Sequence, residues 1–324
     1  MTGQETRGGF IEHRIGSDGL FALATSSGAV DVRGVDGETV RIATADPAEG
    51  ASLDRFEVEA GEGVLRVRSS RGVFIGLDVF GRRFRWGTGV GELDLIVEVP
   101  RSARLELATV SGDVHVEGTG GPQRYKSVSG ELQLEHVSGP IEIDTASGDI
   151  ALDANAPVAL HLRTVSGDLV AKAPLIRRLE ATTMSGDIRV ESSFEVGQQH
   201  SIETVSGDTR LVTRSGLTIE ARTVSGDIRS DTPHRTSGGP GRHAIIVGDG
   251  KAQLHFRSLS GDLQLAGRGA ATAAPEGAAW RGTVAPSDPH EADRLEILRA
   301  LGVGEIDVAT ASDRLAALDA EVLP

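Results

Sequence analysis

The tripeptide Ser-Gly-Asp, or a close variant of it, recurs along this chain within five-residue segments such as TVSGD, SVSGE and SLSGD. Successive full copies up to Gly226 are 18 to 21 residues apart, and partial copies at Gly139 and Gly216 mark half of that period. A fixed period constrains the architecture more than any local pattern does, because every repeat must form the same structural unit. The glycines of the eight full copies are Gly112, Gly130, Gly148, Gly167, Gly186, Gly207, Gly226 and Gly261.

The half-period of nine or ten residues has the length of one strand and one corner, since a strand rises about 3.3 Å per residue. Apolar residues alternate after the copies, as in Val114/Val116 and Ile188/Val190, and alternation is typical of strands with one buried face. Helical repeats, with units of about 33 to 47 residues, fit poorly. The pattern predicts a mainly β fold, a single-stranded β-solenoid of about 19 residues per coil. The general bias of crossover connections predicts a right-handed one.

Each residue of the repeated segment has an expected role at a corner of the coil. Glycine adopts positive φ without a Cβ penalty, and the acidic residue can accept hydrogen bonds from nearby backbone N–H groups. The Thr and Ser side chains can form rungs with their copies one coil above and below. The rung residues are Thr109, Ser127, Thr145, Thr164, Thr183, Thr204, Thr223 and Ser258.

Three regions are predicted along the chain. A β-solenoid repeat domain covers residues 10–267, with irregular opening coils over 10–102 and a regular array over 103–266. An Ala/Gly/Pro linker follows over 268–287. A two-helix hairpin over 288–324 is indicated by a capping sequence and by leucines that line one face of each helix.

Irregular segments interrupt the solenoid in this interpretation. Two strand pairs are expected to meet at Asp36-Gly37 and at the glycines around Glu62. Residues 231–243, which are rich in Pro and Gly, are expected to form a loop. The step of 35 residues from Gly226 to Gly261 is interpreted as two coils that lack the signature.

The segment VEVPRSARLELATVSGDVHVEG and its TVSGD-type repeats resemble the bacterial β-strand-repeat family of adhesin-like proteins, a domain family of unknown function. The resemblance covers most of residues 10–266 and implies a non-enzymatic surface or scaffold role. The tail DRLEILRALGVGEIDVATASDRLAAL is similar to the SHOCT-like helical hairpin that often ends such proteins. It departs from that pattern with Gly-Val-Gly-Glu at 302–305, where a polar Glu-Gly-Lys turn is usual.

The repeated acidic residues are candidate calcium ligands, because stacked coils would place them about 4.8 Å apart. The calcium-binding GGxGxDxUx roll supplies several glycines and an Asp two residues after the last one, whereas here the acid directly follows a single glycine. Corner capping is therefore favoured over a metal site, and no cofactor is predicted. The candidate ligands are Asp113, Asp149, Asp168, Asp187, Asp208 and Asp227.

Two segments are candidates for partner contact. A basic aromatic insert between residues 70 and 91 is rich in Arg and aromatic residues, which are enriched at binding hot spots; its alternative role is a hairpin that packs on the solenoid. The predicted helical hairpin either binds a partner or caps an open coil end. The contact residues are Phe80, Arg82, Arg83, Phe84, Arg85, Trp86, Leu295, Leu298 and Leu315.

Composition and motifs narrow the functional classes. A net charge of −14 argues against a nucleic-acid partner, and cysteine is absent. No secretory signal or apolar span is visible, so a cytoplasmic location without membrane insertion is expected. Because HExxH, GxSxG and P-loop motifs are missing, no enzymatic activity is predicted.

The predicted function is a non-catalytic scaffold or protein-binding solenoid, acting through a protein partner or self-association. A calcium- or glycan-binding solenoid and a polysaccharide-active β-helix enzyme are the alternatives.

Overall fold

The chain forms strands almost throughout the part that the computed structural model describes. That part comprises residues 5–7, 10–46, 53–69, 73–79, 82–88, 93–239 and 242–267. Within it the only helical element is a 3₁₀ turn over 53–55, and no helix has the length and apolarity needed to cross a membrane. The predicted mainly β fold is confirmed. The predicted linker and helical hairpin, with Leu295, Leu298 and Leu315, lie outside the described residues.

The strands differ in length between the opening segment and the central array. The opening strands are β1 (Glu5–Arg7), β2 (Phe10–Arg14), β3 (Leu20–Ala24), β4 (Val30–Val35), β5 (Thr39–Thr44), β6 (Phe56–Gly61), β7 (Val64–Ser69), β8 (Val73–Val79), β9 (Arg82–Thr88) and β10 (Leu95–Pro100). The array begins with β11 (Arg104–Ala108), β12 (Val114–Glu117), β13 (Gln123–Ser127), β14 (Leu132–Thr145), β15 (Ile150–Ser166), β16 (Leu169–Ser185), β17 (Ile188–Phe194), β18 (Gln199–Ser206) and β19 (Thr209–Thr213). The closing strands are β20 (Leu217–Ser225), β21 (Ile228–Ser230), β22 (His234–Gly239), β23 (Arg242–Val247), β24 (Ala252–Ser260) and β25 (Leu263–Gly267).

The array consists of two parallel ladders that are joined in every coil by two corners. The first ladder contains β12, β17, β19 and the first parts of the long strands β14, β15 and β16. The second ladder contains β11, β13, β18 and the second parts of those long strands. Neighbours in register, such as Val114 and Leu132 or Ile188 and Thr209, are one repeat apart in sequence. Each repeat is therefore one coil.

Inward-facing side chains of the two ladders form one continuous apolar core. Val116 and Leu134 of the first ladder and Leu160 and Leu162 of the second are at most 2% exposed, while the residues between them along each strand face outward. Alternation in the sequence thus becomes an inside–outside alternation in each coil, as the pleat of a strand requires. The side chains that can contact a ligand are consequently those of the outer rows and of the corners.

The last coil in the sequence is not the last coil in space. Strands β24 and β25 pair in parallel with β18 and β19 on one side and with β20 and β21 on the other. The coil that carries Gly261 therefore lies between the coils of Gly207 and Gly226. The interpretation of the 35-residue step as two intervening coils is wrong, because the chain leaves the stack and returns to an earlier level.

In the opening segment too, a strand from later in the chain lies between two earlier strands. Strands β4 and β5 are consecutive around Asp36-Gly37, but β10 lies between them, parallel to β4 and antiparallel to β5. The predicted strand pair at Asp36-Gly37 is therefore wrong. Strands β6 and β7 do pair antiparallel around Glu62, as the glycines there indicate. Antiparallel strands end the ladders at this side of the solenoid and interrupt the parallel stacking.

Two further segments form strand pairs. The predicted loop over 231–243 is wrong, because it contains β22 and the start of β23, which pair antiparallel with each other, and β23 also pairs antiparallel with β20. The basic aromatic insert contains β8 and β9, which form a separate two-stranded sheet. The predicted contact residues Arg82, Arg83, Phe84, Arg85 and Trp86 belong to β9, whereas Phe80 lies outside the described residues.

His200 is a buried polar residue in the core row of the second ladder. Its Nδ1 accepts a hydrogen bond from the Leu179 N–H at 3.2 Å, and its Nε2 donates to the Glu195 carbonyl at 3.1 Å. This coil is 21 residues long between Gly186 and Gly207, and the imidazole supplies the acceptor for Leu179. Burial lowers the pKa of His200.

We expect acidification to destabilise the fold through His200. Its pKa is lowered in the folded chain and ordinary, about 6.5, in the unfolded chain, so the unfolded state binds more protons and stability falls as the pH drops below about 6.5. One proton accounts for at most about 1.4 kcal/mol per pH unit. Urea denaturation between about pH 7 and about pH 5 should give a smaller slope for His200→Asn, whose amide oxygen can still accept from Leu179. Equal slopes for the two proteins would contradict this assignment.

Candidate functional site

The repeated glycines form a column at the corner that leads from the second ladder to the first, here called the signature corner. Seven of the eight full-copy glycines have positive φ, between 117° and 139°, and Gly112 is the exception. A Cβ at any of the eight would overlap the carbonyl oxygen of the neighbouring glycine in the column, as Gly167 would with Gly148. The glycines therefore serve two needs, a left-handed backbone and a close approach of adjacent coils.

The acidic residues beside these glycines connect one coil to the next. The Asp149 carboxylate accepts from the Asp168 N–H at 2.9 Å, and Asp168 accepts from the Asp187 N–H at 2.8 Å. In the opposite direction, the Ile150 N–H donates to the Asp168 carbonyl at 2.8 Å. The same carboxylate bond continues through Asp208, Asp262 and Asp227. These aspartates cap backbone groups of the neighbouring coil rather than of their own corner.

Glu131 and Ala29 interrupt this column of aspartates. Asp94 contributes to the column, although the sequence analysis did not include it. Asp113 accepts from the Glu131 N–H, but the longer Glu131 side chain makes no equivalent bond to Asp149. Ala29 stands where an acid would be, and its N–H donates to Asp94 at 2.8 Å. Asp94 has no preceding Ser-Gly, so only the fold reveals its place. Within the described ranges, no group of three or more His, Cys, Asp or Glu residues is arranged to hold a metal ion.

The Thr and Ser side chains of the predicted rungs occupy register positions but bond differently from expectation. Thr164, Thr183 and Thr204 are neighbours across coils. Each hydroxyl donates to the carbonyl two residues further along its own corner, as Thr164 does to Ser166 at 3.1 Å. At these corners the hydroxyls bond locally, whereas the buried Ser258 hydroxyl makes no hydrogen bond. The coils are held together by backbone and aspartate bonds instead.

The corner that leads from the first ladder to the second, here called the opposite corner, carries a strained histidine. His136 has a φ of 53° and is the one non-glycine residue with positive φ in the described part of the chain. It lies in a β-bulge of β14, where the register with β15 shifts after Glu135. Glu117 and Glu135 are register partners, so the residue after Glu117 occupies the equivalent place, and it is Gly118 with a φ of 71°. Glycine would adopt this left-handed backbone conformation without strain, so the presence of a histidine points to a role for its side chain.

A shallow cleft surrounds His136 at this corner. Its volume is about 770 Å³, and its walls come from the strand ends and turns of four successive coils. The His136 imidazole Nδ1 lies 3.8 Å from Glu117 Oε1, and the side chain is 61% exposed. The other polar side chains of the lining are Arg33, Arg101, Ser102, Thr119, Ser138 and Asn155.

Two arginines are fixed by ion pairs at the border of the cleft. Arg33 binds Asp31 with both Nε and Nη2, at 3.2 and 3.0 Å, and this hydrogen bonding raises the pKa of Arg33. Arg101 donates from Nε to Asp36 at 3.1 Å and from Nη1 to the Gly118 carbonyl at 3.2 Å. The cleft thus presents positive and negative groups together in defined positions.

A buried polar network supports the floor of the cleft. The Gln123 amide oxygen accepts from Thr119 at 3.0 Å and from the Tyr125 hydroxyl at 2.6 Å. The Gln123 amide nitrogen donates to the carbonyls of Ser138 at 2.9 Å and Gly121 at 3.3 Å. Burial raises the pKa of Tyr125, so its hydroxyl stays protonated as a donor. One glutamine thereby links the turns of two coils that line the cleft.

Sequence reasoning did not find this cleft. Its residues are spread over four coils and belong to no motif. The available signal was the alignment of Glu135-His136 with Glu117-Gly118 in successive repeats. Of the predicted candidates, the glycines and aspartates lie at the signature corner and none lines the cleft.

The fold and its corners define the class of this protein as a parallel β-solenoid built from short coils with a Gly-acid corner. The Toastrack DUF4097 family profile matches residues 91–177 and 175–266, which together exceed half of the 324-residue chain. The chain belongs to the Toastrack DUF4097 family. The resemblance to a β-strand-repeat family of unknown function is confirmed at this level.

Solved structures similar to the chain include three bacterial proteins. One is described as a candidate cell adhesion protein from Clostridium sporogenes (9% identity, TM-score 0.27, covering 80% of this chain and 99% of its own). The second is a candidate lipid binding protein from Parabacteroides distasonis (13% identity, TM-score 0.41, covering 81% of this chain and 98% of its own). The third is a candidate adhesin from Bacteroides fragilis (10% identity, TM-score 0.29, covering 81% of this chain and 98% of its own). Scores this low carry no argument about function. No curated protein matches the sequence.

Proposed function

We propose that this chain is a non-catalytic, adhesin-like binding protein that presents the cleft at His136 to a protein partner. One observation carries the proposal: a histidine occupies a left-handed backbone position that the neighbouring coil gives to glycine. An αL conformation costs a non-glycine residue about 1–2 kcal/mol. A strained residue at the centre of an open polar cleft is a candidate binding residue, because its strain has no structural benefit.

The arrangement of charges supports binding rather than catalysis. Glycoside hydrolysis requires two carboxylates on either side of the scissile bond, one of which is kept protonated to act as the acid. At the cleft, Asp31 and Asp36 are each held in an ion pair, with Arg33 and Arg101 respectively, and are not placed as such a pair of carboxylates. Fixed ion pairs with free hydrogen-bonding capacity suit the mixed donors and acceptors of a polypeptide surface.

Replacing His136 with glycine should separate binding from stability. We expect His136→Gly to raise the free energy of unfolding by up to about 1 kcal/mol, because the strain is relieved. Capture of partners from a host extract by the immobilised protein, quantified by mass spectrometry, should fall at least tenfold for the same variant. His255→Gln is the control, since His255 lies in β24 and faces Glu220.

Three outcomes would speak against the proposal in different ways. Equal capture by wild type, His136→Gly and His255→Gln would remove the cleft as a binding site. If the wild type binds to a glycan array and His136→Gly does not, the ligand of the cleft is a carbohydrate and not a protein. A loss of stability in His136→Gly would show that the histidine has a structural role.

A further inference from the structure

Two arginines stand side by side on the outer face of the first ladder. Arg189 of β17 and Arg210 of β19 are register partners in adjacent coils, so their backbones are about 4.8 Å apart. Both alternate with buried residues, Ile188 and Val190 around Arg189 and Leu211 after Arg210, and both therefore project outward. Like charges directly opposite each other destabilise a sheet, which makes the pair unexpected in a chain with a net charge of −14.

Neither arginine has an acceptor among the described residues. The Nε of Arg210 is buried and makes no hydrogen bond, so packing along the sheet holds this side chain. The aspartates two residues earlier, Asp187 and Asp208, use one carboxylate oxygen each to bind the next coil. Arg229 of the same outer row shows the alternative, since it bonds Asp227 at 2.7 Å and lies 3.9 Å from Asp262.

The surroundings add positive charge. Glu191 follows Arg189 by two residues on the same outer face of β17, and its carboxylate accepts from Arg214 at 2.6 Å. That hydrogen bond is the main reason why the pKa of Glu191 is lowered, with Lys172 and Arg189 contributing through their charge. The Glu191 carboxylate thus faces three cations: Lys172, Arg189 and Arg214.

We propose that Arg189 and Arg210 together bind an oxyanion, a phosphate or sulfate group. Each guanidinium presents a planar fork of N–H donors that matches two oxygens of such a group. Because the two backbones are about 4.8 Å apart, one tetrahedral anion can contact both forks, and it then replaces the repulsion between them by two charge-assisted contacts. The site is on the first ladder and is independent of the cleft at His136.

Titration of the full chain at low ionic strength tests the site, with inorganic phosphate, inorganic sulfate and methyl phosphate as probes. We expect saturable binding by calorimetry that weakens at least tenfold in Arg189→Gln and in Arg210→Gln. The control Arg229→Gln, which removes an ion-paired arginine of the same row, should bind within about twofold of wild type. Methyl phosphate binding as tightly as inorganic phosphate would assign the site to an ester-borne group, and a clear preference for inorganic phosphate or sulfate would assign it to the free ion.

Stability without ligand gives a second readout. Because repulsion is removed, Arg189→Gln should melt at the same temperature as wild type or higher when no oxyanion is present. On adding phosphate, wild type and Arg229→Gln should gain stability and Arg189→Gln should not. The inference is overturned by binding that does not saturate, by equal loss in Arg229→Gln, or by equal stabilisation of all variants by phosphate.

Discussion

Replacing Gly167 with alanine is expected to lower the free energy of unfolding by about 3–5 kcal/mol, or to prevent folding. Gly167 has a φ of 127°, which an L-residue rarely adopts, and an added Cβ would overlap the Gly148 carbonyl oxygen. The clash involves backbone on both sides, so no side-chain rotation can relieve it. Because each coil contacts only its neighbours, the distortion would separate the two halves of the stack.

A matched glycine isolates the effect of the close approach. Gly197 has a φ of 82°, yet a Cβ there would meet nothing within 4 Å. Gly197→Ala should therefore cost only the backbone strain, about 1–2 kcal/mol. Urea denaturation followed by circular dichroism compares the two variants with wild type. If both lose the same stability, inter-coil contact is not the reason for the glycine column.

Replacing Gln123 with leucine is expected to cost about 3 kcal/mol of stability. The variant keeps the volume of the side chain but removes the acceptor of the Tyr125 and Thr119 hydroxyls and the donor to the Ser138 carbonyl. Buried groups left without partners cost about 1–3 kcal/mol each. Since Thr119 and Ser138 line the cleft at His136, hydrogen exchange at these turns should also accelerate.

Gln133 provides the comparison for this variant. It is exposed on the outer face of β14, and its amide donates to Glu135 at 2.7 Å. Gln133→Leu should change the free energy of unfolding by no more than about 0.5 kcal/mol. A similar loss in both variants would mean that the buried network does not support the corner.

Much of the coil could be predicted from the repeats, because the properties involved are local. The two-residue alternation of Val114/Val116 and Ile188/Val190 becomes burial on the core face, since a pleat alternates sides whatever the neighbours are. The glycine spacing predicts where each corner falls, as steric limits on φ act within one residue. The aspartate that follows was correctly expected to bond backbone N–H groups, although the coil that donates them could not be predicted.

The candidate cleft was beyond prediction for a different reason. His136 acquires its significance from a bulge, from Glu117 in the previous coil and from Arg101, which comes from yet another turn. None of these residues shares a motif with the others. The pair Arg189 and Arg210, by contrast, follows from the repeat, because each arginine is the third residue after a column glycine, Gly186 or Gly207.

The sequence by itself determined the unit of this protein: the length of a coil, its two buried faces, and a corner that only glycine tolerates. Tertiary structure alone decided the order of the units, with the Gly261 coil between those of Gly207 and Gly226 and β10 between β4 and β5. Nearly identical coils offer nearly identical edges, so every coil can pair with every other in the same register. The choice among them is made by the connecting segments and end strands, whose packing is not encoded within a single repeat.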